Sequence, residues 1–380
     1  MLKDIRVVIV GGLHHNTLGV VRSLGKKGLK KNNIIVILIG EKISRSNFIM
    51  ASRYLSKSNV HIIETNDDIL KQLYKIAIDE KQVIICCSDG AAEVVMSNYE
   101  DLKKWFFLPR MNADVRDFMS KEVQDCFAKK CGLNIPDGAI ICKNDIFEWD
   151  DFPCITKPIK SVHGAGKSDI RISYNKKELE IALNDTVSDT VQIQKFIEKD
   201  MEYQLIGCSI DDGSTIIIPG YTKIIRQPSN TNTGYLKYSS IQDFKYDKEA
   251  VHRYIKGIGY NGLFSIEFIR GKDGIDYFLE MNMRNDGNAY CVYSAGVNLP
   301  YIWSYFQVYN EVPKCEYTFT KPVYFIPDLL DLKRGISEVG FFGWCKEFVQ
   351  AKSHAVFDLT DIGPFVLQSV SFAKWFFCHQ

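Results

Sequence analysis

The chain opens with runs of consecutive apolar residues separated by stretches of helical spacing. Arg6-Val7-Val8-Ile9-Val10 reads as a strand buried on both faces, as in a parallel sheet, and it stops at Gly11-Gly12. Apolar positions at Leu18, Val21 and Leu24 then predict a helix from about Thr17 to Lys27. Three more strands follow: Ile34 to Ile39, His61 to Ile63, and Val83 to Cys87, the last ending in Ser88-Asp89-Gly90. A helix over Asp67 to Asp79 lies between the second and third of these. Such alternation implies βαβ units and a doubly wound sheet, whose ligands sit beyond the carboxyl ends of the strands. That singles out Gly11, Gly12, His14, His15, Asn16, Ser88 and Asp89 as candidate substrate residues, although two adjacent histidines equally suit an exposed loop. The first turn, GGLHHNTLG, lacks the G-x-G-x-x-G spacing of a dinucleotide site.

Around Leu108-Pro109-Arg110 the pattern changes. SKEVQDCFAKKCG is a helix with Ser120 as its cap and Gly132 as its stop. The middle of the chain is strand-rich: Cys154 to Lys157, Ile170 to Ser173, Thr190 to Gln194, Tyr203 to Ser209 and Thr215 to Ile218. Between the first two of these lies a GAGKS sequence, Gly164 to Ser168. It nearly matches a P-loop, but Ser161 stands where the first glycine belongs, and a strand follows where a P-loop opens a helix. It reads instead as a hairpin tip whose backbone N–H groups, with Lys157, Lys160 and Lys167, would cradle phosphates. A solvated hairpin with ordinary surface lysines is the plainer alternative.

The run from Gly262 to Asn288 carries the most chemistry. Phe264, Ile266 and Phe268 alternate with Ser265 and Glu267. Gly271-Lys272-Asp273-Gly274 is a turn, and the return strand sets Glu280, Asn282 and Arg284 on one face. Glu267 and Glu280 then fall opposite or diagonal to one another. Paired carboxylates repel unless a cation lies between them, and a Glu, Glu, Asn oxygen set suits Mg²⁺. Carboxylates that merely face water are the alternative. The loop Lys223 to Tyr235 offers Arg226, either as a bidentate grip on a substrate carboxylate or as a surface arginine.

Composition narrows the class. With 380 residues, the chain is long enough for two or three domains at roughly 150 residues each. Lys+Arg 47 against Asp+Glu 46 gives a net charge of +1, so no nucleic-acid partner is expected. The longest aliphatic stretch, Ile34 to Ile39, is far short of a membrane span, and the N-terminus has no cleavage signature. Eleven cysteines are scattered without metal-ligand spacing, as in a reduced cytoplasmic protein. The aromatic C-terminal seventy residues suggest a packed terminal helix, with a seal on the substrate side, a homodimer contact or a surface that rests on a membrane as the alternatives.

The order of these pieces resembles the ATP-grasp superfamily of carboxylate–amine ligases: a doubly wound domain, SKEVQDCFAKKCGLNIP, a strand ending in Lys157-Pro158 with a Gly-rich loop, VQIQKFIEKDMEYQL, and E-x12-E-x-N-x-R. The resemblance covers about residues 1 to 310. It implies a mixed α/β and α+β chain, with a doubly wound domain at 1–115, a two-lobed nucleotide-binding domain at 116–310 (its small lid lobe about 140–195) and an extension at 311–380. Lys121, Lys157 and Lys167 would contact ATP phosphates. Gln194 and Lys195 would meet the amino edge of adenine, the backbone of Ile197 a ring nitrogen, and Glu202 (or Glu198) the ribose. Glu267, Glu280 and Asn282 would hold magnesium, or manganese, and Arg284 would lie near the transferred phosphate. Two positions depart from the family pattern: Gln194, often acidic, and Met283, within the common N-P-R. The implied reaction is ATP-driven joining of a small carboxylate to an amine. Phosphorylation, carboxyphosphate chemistry and non-catalytic nucleotide binding are the alternatives.

Overall fold

The computed structural model describes residues 5–142, 148–158, 170–186, 189–227 and 233–378. Five parallel strands form the first sheet: β1 (Val7–Gly12), β2 (Ile34–Ile39), β3 (Val60–Ile63), β4 (Gln82–Cys86) and β5 (Phe106–Phe107), in the order β3-β2-β1-β4-β5. Val7 to Val10 are fully buried, which explains why their sequence is continuously apolar and does not alternate. The first helix spans His15–Lys26. It starts two residues earlier than spacing predicts, because the His14 ring accepts the Asn16 N–H as its cap.

A four-stranded antiparallel sheet follows: β6 (Gly138–Cys142), β7 (Cys154–Pro158), β8 (Arg171–Ser173) and β9 (Thr190–Lys195), in the order β6-β9-β7-β8. β7 and β8 flank the Gly-rich segment as expected. The segment itself, with Gly164, Gly166 and Lys167, lies outside the described residues. One face of this sheet packs Cys154, Ile141 and Ile193 against Leu179. The remaining strands are β10 (Lys199–Ile210), β11 (Thr215–Arg226), β12 (Tyr235–Ser240), β13 (Gly262–Gly271), β14 (Asp276–Asn282), β15 (Val323–Ile326) and β16 (Ser353–His354). They form a third sheet in the order β14-β13-β10-β11-β12-β15-β16.

The chain divides into two compact units. The first comprises Met1–Ser120, Tyr203–Glu267 and Met281–Gln380; the second comprises Lys121–Glu202 and Phe268–Glu280. This differs from a linear division at 115 and 310. Strand pairing reaches across sequence, so β15 and β16 from the C-terminal segment complete a sheet begun near residue 200 instead of forming a separate extension. The loop expected at 223–235 also needs correction, because its first residues belong to β11. Arg226 ends that strand buried, donating Nε and Nη2 to the two oxygens of Asp331 at 3.0 and 2.6 Å, with Glu347 at 2.7 Å. Its guanidinium is committed to this pair, and Arg226 leaves the candidate substrate set. The C-terminal segment ends in helices Leu332–Gln350, bent at Gly340 (φ 74°), and Gly363–Cys378. No helix among the described residues is long and apolar enough to cross a membrane.

Candidate active site

In the first unit, β1 and β4 deliver their ends to one place. A Cβ on Gly11 would stand 2.7 Å from the Cys87 Cβ and 2.9 Å from the Thr17 hydroxyl, so only glycine fits this approach. Asn16, buried, donates to the carbonyls of Cys87 (2.9 Å) and Asn285 (2.7 Å). It therefore ties the strand ends to the segment after β14. Ser88 caps the helix Asp89–Ser97 through the Ala91 N–H. These two candidates are spent on positioning backbone.

Asp89 begins a longer polar chain. Arg284 donates Nε to Asp89 at 3.0 Å, Nη1 to Asp286 at 3.1 Å and Nη2 to the Asn282 oxygen at 2.9 Å. Asn282 donates to Glu267 Oε1 at 3.3 Å, and Gln204 donates to the same oxygen at 2.9 Å. Asn288 donates to Gln204 at 2.9 Å, and Ser265 to Asp286 at 2.8 Å. Burial alone would lower the Arg284 pKa, but the carboxylates of Asp89 and Asp286 raise it above the ordinary arginine value. Glu267, Asn282 and Arg284 are thus brought together as expected. Gln204, Asp286 and Asn288 were not anticipated; the acidic residue two positions after Arg284 was the one local signal for any of them.

Beside this chain, His15 is buried with its Nε2 3.2 Å from the Thr233 hydroxyl, and its ring centroid is 3.8 Å from that of His14. Burial, then the neighbouring His14, push the His15 pKa well below 6.5 against the Gly287 carbonyl. Burial and the Arg284 charge lower that of His14. Both rings are therefore neutral at pH 7.

In the second unit, Lys157 on β7 points from the sheet face that Gln192 and Gln194 share, since β7 and β9 pair Lys157 with Gln192 and Ile155 with Gln194. Its Nζ donates to Gln194 Oε1 at 3.3 Å. Burial, then the charge of Lys121, lower the Lys157 pKa to about 8, with the Asp125 and Glu280 carboxylates pulling the other way. Asp125 accepts from Gln192 at 3.4 Å, and burial raises its pKa. Lys121 opens the helix Lys121–Lys130 that carries Asp125. Lys195 is exposed and pairs with Asp151 at 3.2 Å, and Ile197 lies in the link between β9 and β10. Glu202 pairs with Lys199 at 2.8 Å, and Glu198 with Lys272. Glu280 precedes Asn282 by two positions on β14.

No group of three or more acidic, histidine or cysteine side chains clusters as a metal site among the described residues. The donor set in the first unit is instead one carboxylate, Glu267, beside one amide, Asn282. These are hard oxygen donors of the kind that bind Mg²⁺ with substrate phosphates completing the shell.

The fold is shared with solved enzymes. N5-carboxyaminoimidazole ribonucleotide synthetase, in its ADP complex, matches with a TM-score of 0.65 at 15% identity, over 89% of this chain and 85% of its own. The biotin carboxylase domain of 2-oxoglutarate carboxylase from Hydrogenobacter thermophilus, a dimer with MgADP and bicarbonate, gives 0.60 at 17% identity, over 82% and 71%. An L-amino acid ligase from Bacillus licheniformis gives 0.56 at 14% identity, over 80% and 74%. No protein-family model matches the chain, and neither does any curated protein. All three of these structures are ATP-grasp enzymes, and the chain has the ATP-grasp fold.

Proposed function

We propose that this ATP-grasp chain is a Mg-ATP-dependent, ADP-forming ligase that activates a small carboxylate as an acyl phosphate and joins it to an amine, an amino acid among the candidates. The observation that carries the reading is the hydrogen-bonded line Glu267–Asn282–Arg284. It sets a carboxylate, an amide oxygen and a fixed cation side by side, which is what phosphoryl transfer to an oxygen nucleophile requires.

A carboxylate does not react with an amine at neutral pH. Attack of a carboxylate oxygen on the γ-phosphorus, with the β–γ bridge oxygen leaving as part of ADP, makes an acyl phosphate whose phosphate an amine then displaces. Arg284, held by Asp89 and Asp286, would face the negative charge that grows on the transferred group. Lys157, a half-buried amine whose desolvation outweighs the pull of the Asp125 and Glu280 carboxylates, would gain most from a phosphate beside it, and Lys121 adds a second charge in the same unit. Glu267, Asn282 and Glu280 would hold magnesium, which when bound neutralises phosphate oxygens and keeps them in line. Gln194, Lys195, Ile197 and Glu202 are the proposed nucleotide contacts. Neutral His14, exposed beside Arg284, is the substrate contact we retain from the first unit. The described cysteines are free thiols, which suits action in the cytoplasm.

Two of the three solved enzymes named above carry out or prepare carboxylation, so bicarbonate belongs among the carboxylates to be tried. The test is ADP release by the purified protein over amino acids, small carboxylic acids and bicarbonate, with product identification separating an amide from a carboxylated product. Glu280→Ala should remain folded and lose about 10²–10³-fold in turnover. Unchanged turnover removes Glu280 from the metal set, and absence of ADP release with every substrate pair sinks the ligase reading.

A further inference from the structure

The C-terminal part of the first unit gathers exposed apolar side chains. Among the described residues, nearly half of the large apolar side chains that face solvent lie between Leu330 and Val370, in a chain of 380 residues. Scattered surface apolars are ordinary, but a concentration of this kind marks an interaction site.

The exposure follows helical spacing. In the helix Leu332–Gln350, Phe342 (86% exposed) and Val349 (82%) stand seven positions apart beyond the bend at Gly340, with exposed Lys346 between them. Ile362, Val366 and Val370, four positions apart, make a second exposed stripe that runs into the helix Gly363–Cys378. Residues at these spacings share a helix face. The two helices are joined by the rings of Phe348, Phe357 and Phe365, whose centroids are 5.1 to 6.4 Å apart. Leu359, 81% exposed, lies on the link between them. The helices therefore pack through these rings and leave the stripes to solvent.

The free charges around the stripes have one sign. Asp331 and Glu347 are paired with Arg226, Glu338 with Arg334, Asp358 with Lys26, Asp361 with Arg22 and Asp328 with His354. Every carboxylate from Asp328 onward is thus spent, since residues 362–380 contain none. Lys333, Lys346 and Lys352 are exposed, and none has an ion-pair partner among the described residues. A second copy of this chain would be a poor occupant, because a two-fold contact through this surface sets lysine near lysine. An anionic bilayer satisfies both halves of the pattern: the apolar side chains enter the boundary between headgroups and acyl chains, and the lysine stems carry their ammonium groups to the lipid phosphates.

We propose that these two helices dock the protein on the surface of an anionic lipid bilayer, through Phe342, Val349, Val366 and Val370, with Lys333, Lys346 and Lys352 at the headgroups. No described helix is long and apolar enough to cross a bilayer, so the contact lies along its surface. This is independent of the proposed ligase activity.

The experiment is co-sedimentation of the full chain with vesicles of phosphatidylcholine alone, and with vesicles of phosphatidylcholine and phosphatidylglycerol in equal parts, at low and high salt. Partitioning should be about tenfold or more stronger onto the mixed vesicles and should weaken with salt. Phe342→Ser with Val349→Ser changes two solvent-facing positions, so it should keep the thermal unfolding midpoint and lose about tenfold or more in partitioning. Lys346→Gln with Lys352→Gln should lose about tenfold on the mixed vesicles only. Failure of the natural protein to partition onto the mixed vesicles overturns the proposal, and so does partitioning that both folded variants leave unchanged. A dimer in sedimentation velocity that Phe342→Ser with Val349→Ser splits would assign the surface to a second copy and overturn it too. None of these results bears on ADP release, which tests the ligase reading separately.

Discussion

Arg284 in the first unit and Lys157 in the second carry the same charge into largely buried settings, and the protein treats them in opposite ways. Arg284 meets two carboxylates and an amide oxygen in geometry that uses all three of its nitrogens. Its charge is compensated before any ligand arrives. Lys157 has one neutral amide within hydrogen-bond distance among the described residues, and burial, then the charge of Lys121, bring its pKa to about 8 despite the Asp125 and Glu280 carboxylates. The guanidinium is therefore a fixture, oriented in advance. The ammonium is a vacancy for negative charge, destabilised until an anion comes. Preorganisation and stored electrostatic deficit are different ways of preparing for a phosphate.

The contrast is broken or sharpened by removing each cation in turn. Arg284→Met leaves the Asp286 carboxylate, 5% exposed, without its cationic partner, and should cost about 3–5 kcal/mol in denaturant unfolding. Lys157→Met should leave stability unchanged or higher, while nucleotide affinity measured by titration falls about tenfold or more. Equal destabilisation by the two variants would erase the distinction.

A smaller effect follows from pH. Lys157 is charged below about 8, so nucleotide affinity should weaken severalfold as pH rises through that value, and Lys157→Arg should abolish the dependence. Stability moves the other way. Between about 8 and the ordinary lysine value of 10.5 the unfolded chain binds the extra proton, so this group adds stability as pH rises there. The smallest effect concerns His14, whose ring cap asparagine can reproduce. His14→Asn should keep unfolding stability within about 0.5 kcal/mol, and a rise in KM for the carboxylate substrate would show that the imidazole does more than cap.

The sequence foretold local things. Three uninterrupted apolar runs marked β1, β2 and β4, because burial on both faces leaves no polar positions to obscure them; β3, half-buried and carrying His61, showed only as a short run between them. The Glu267, Asn282 and Arg284 grouping was visible because a hairpin pairs residues close in the chain. The partners that fix those side chains were hidden. Gln204 lies 63 positions from Glu267, and Asp331 lies 105 from Arg226. A hydrogen bond over such a distance leaves no periodicity near either residue. For the same reason Arg226 resembled a loop arginine, since the buried carboxylate that claims it sits in a segment whose pattern is merely aromatic. β15 and β16, four and two residues long, were too short to show a period.

The place of those last two strands has a bearing on how the protein is made. β12 waits on the ribosome for β15, which is synthesised some eighty residues later, and β15 then waits for β16. Through that interval β12 offers an unpaired row of amides and carbonyls to any neighbouring nascent chain. Messages truncated between those segments should yield protein that collects in inclusion bodies.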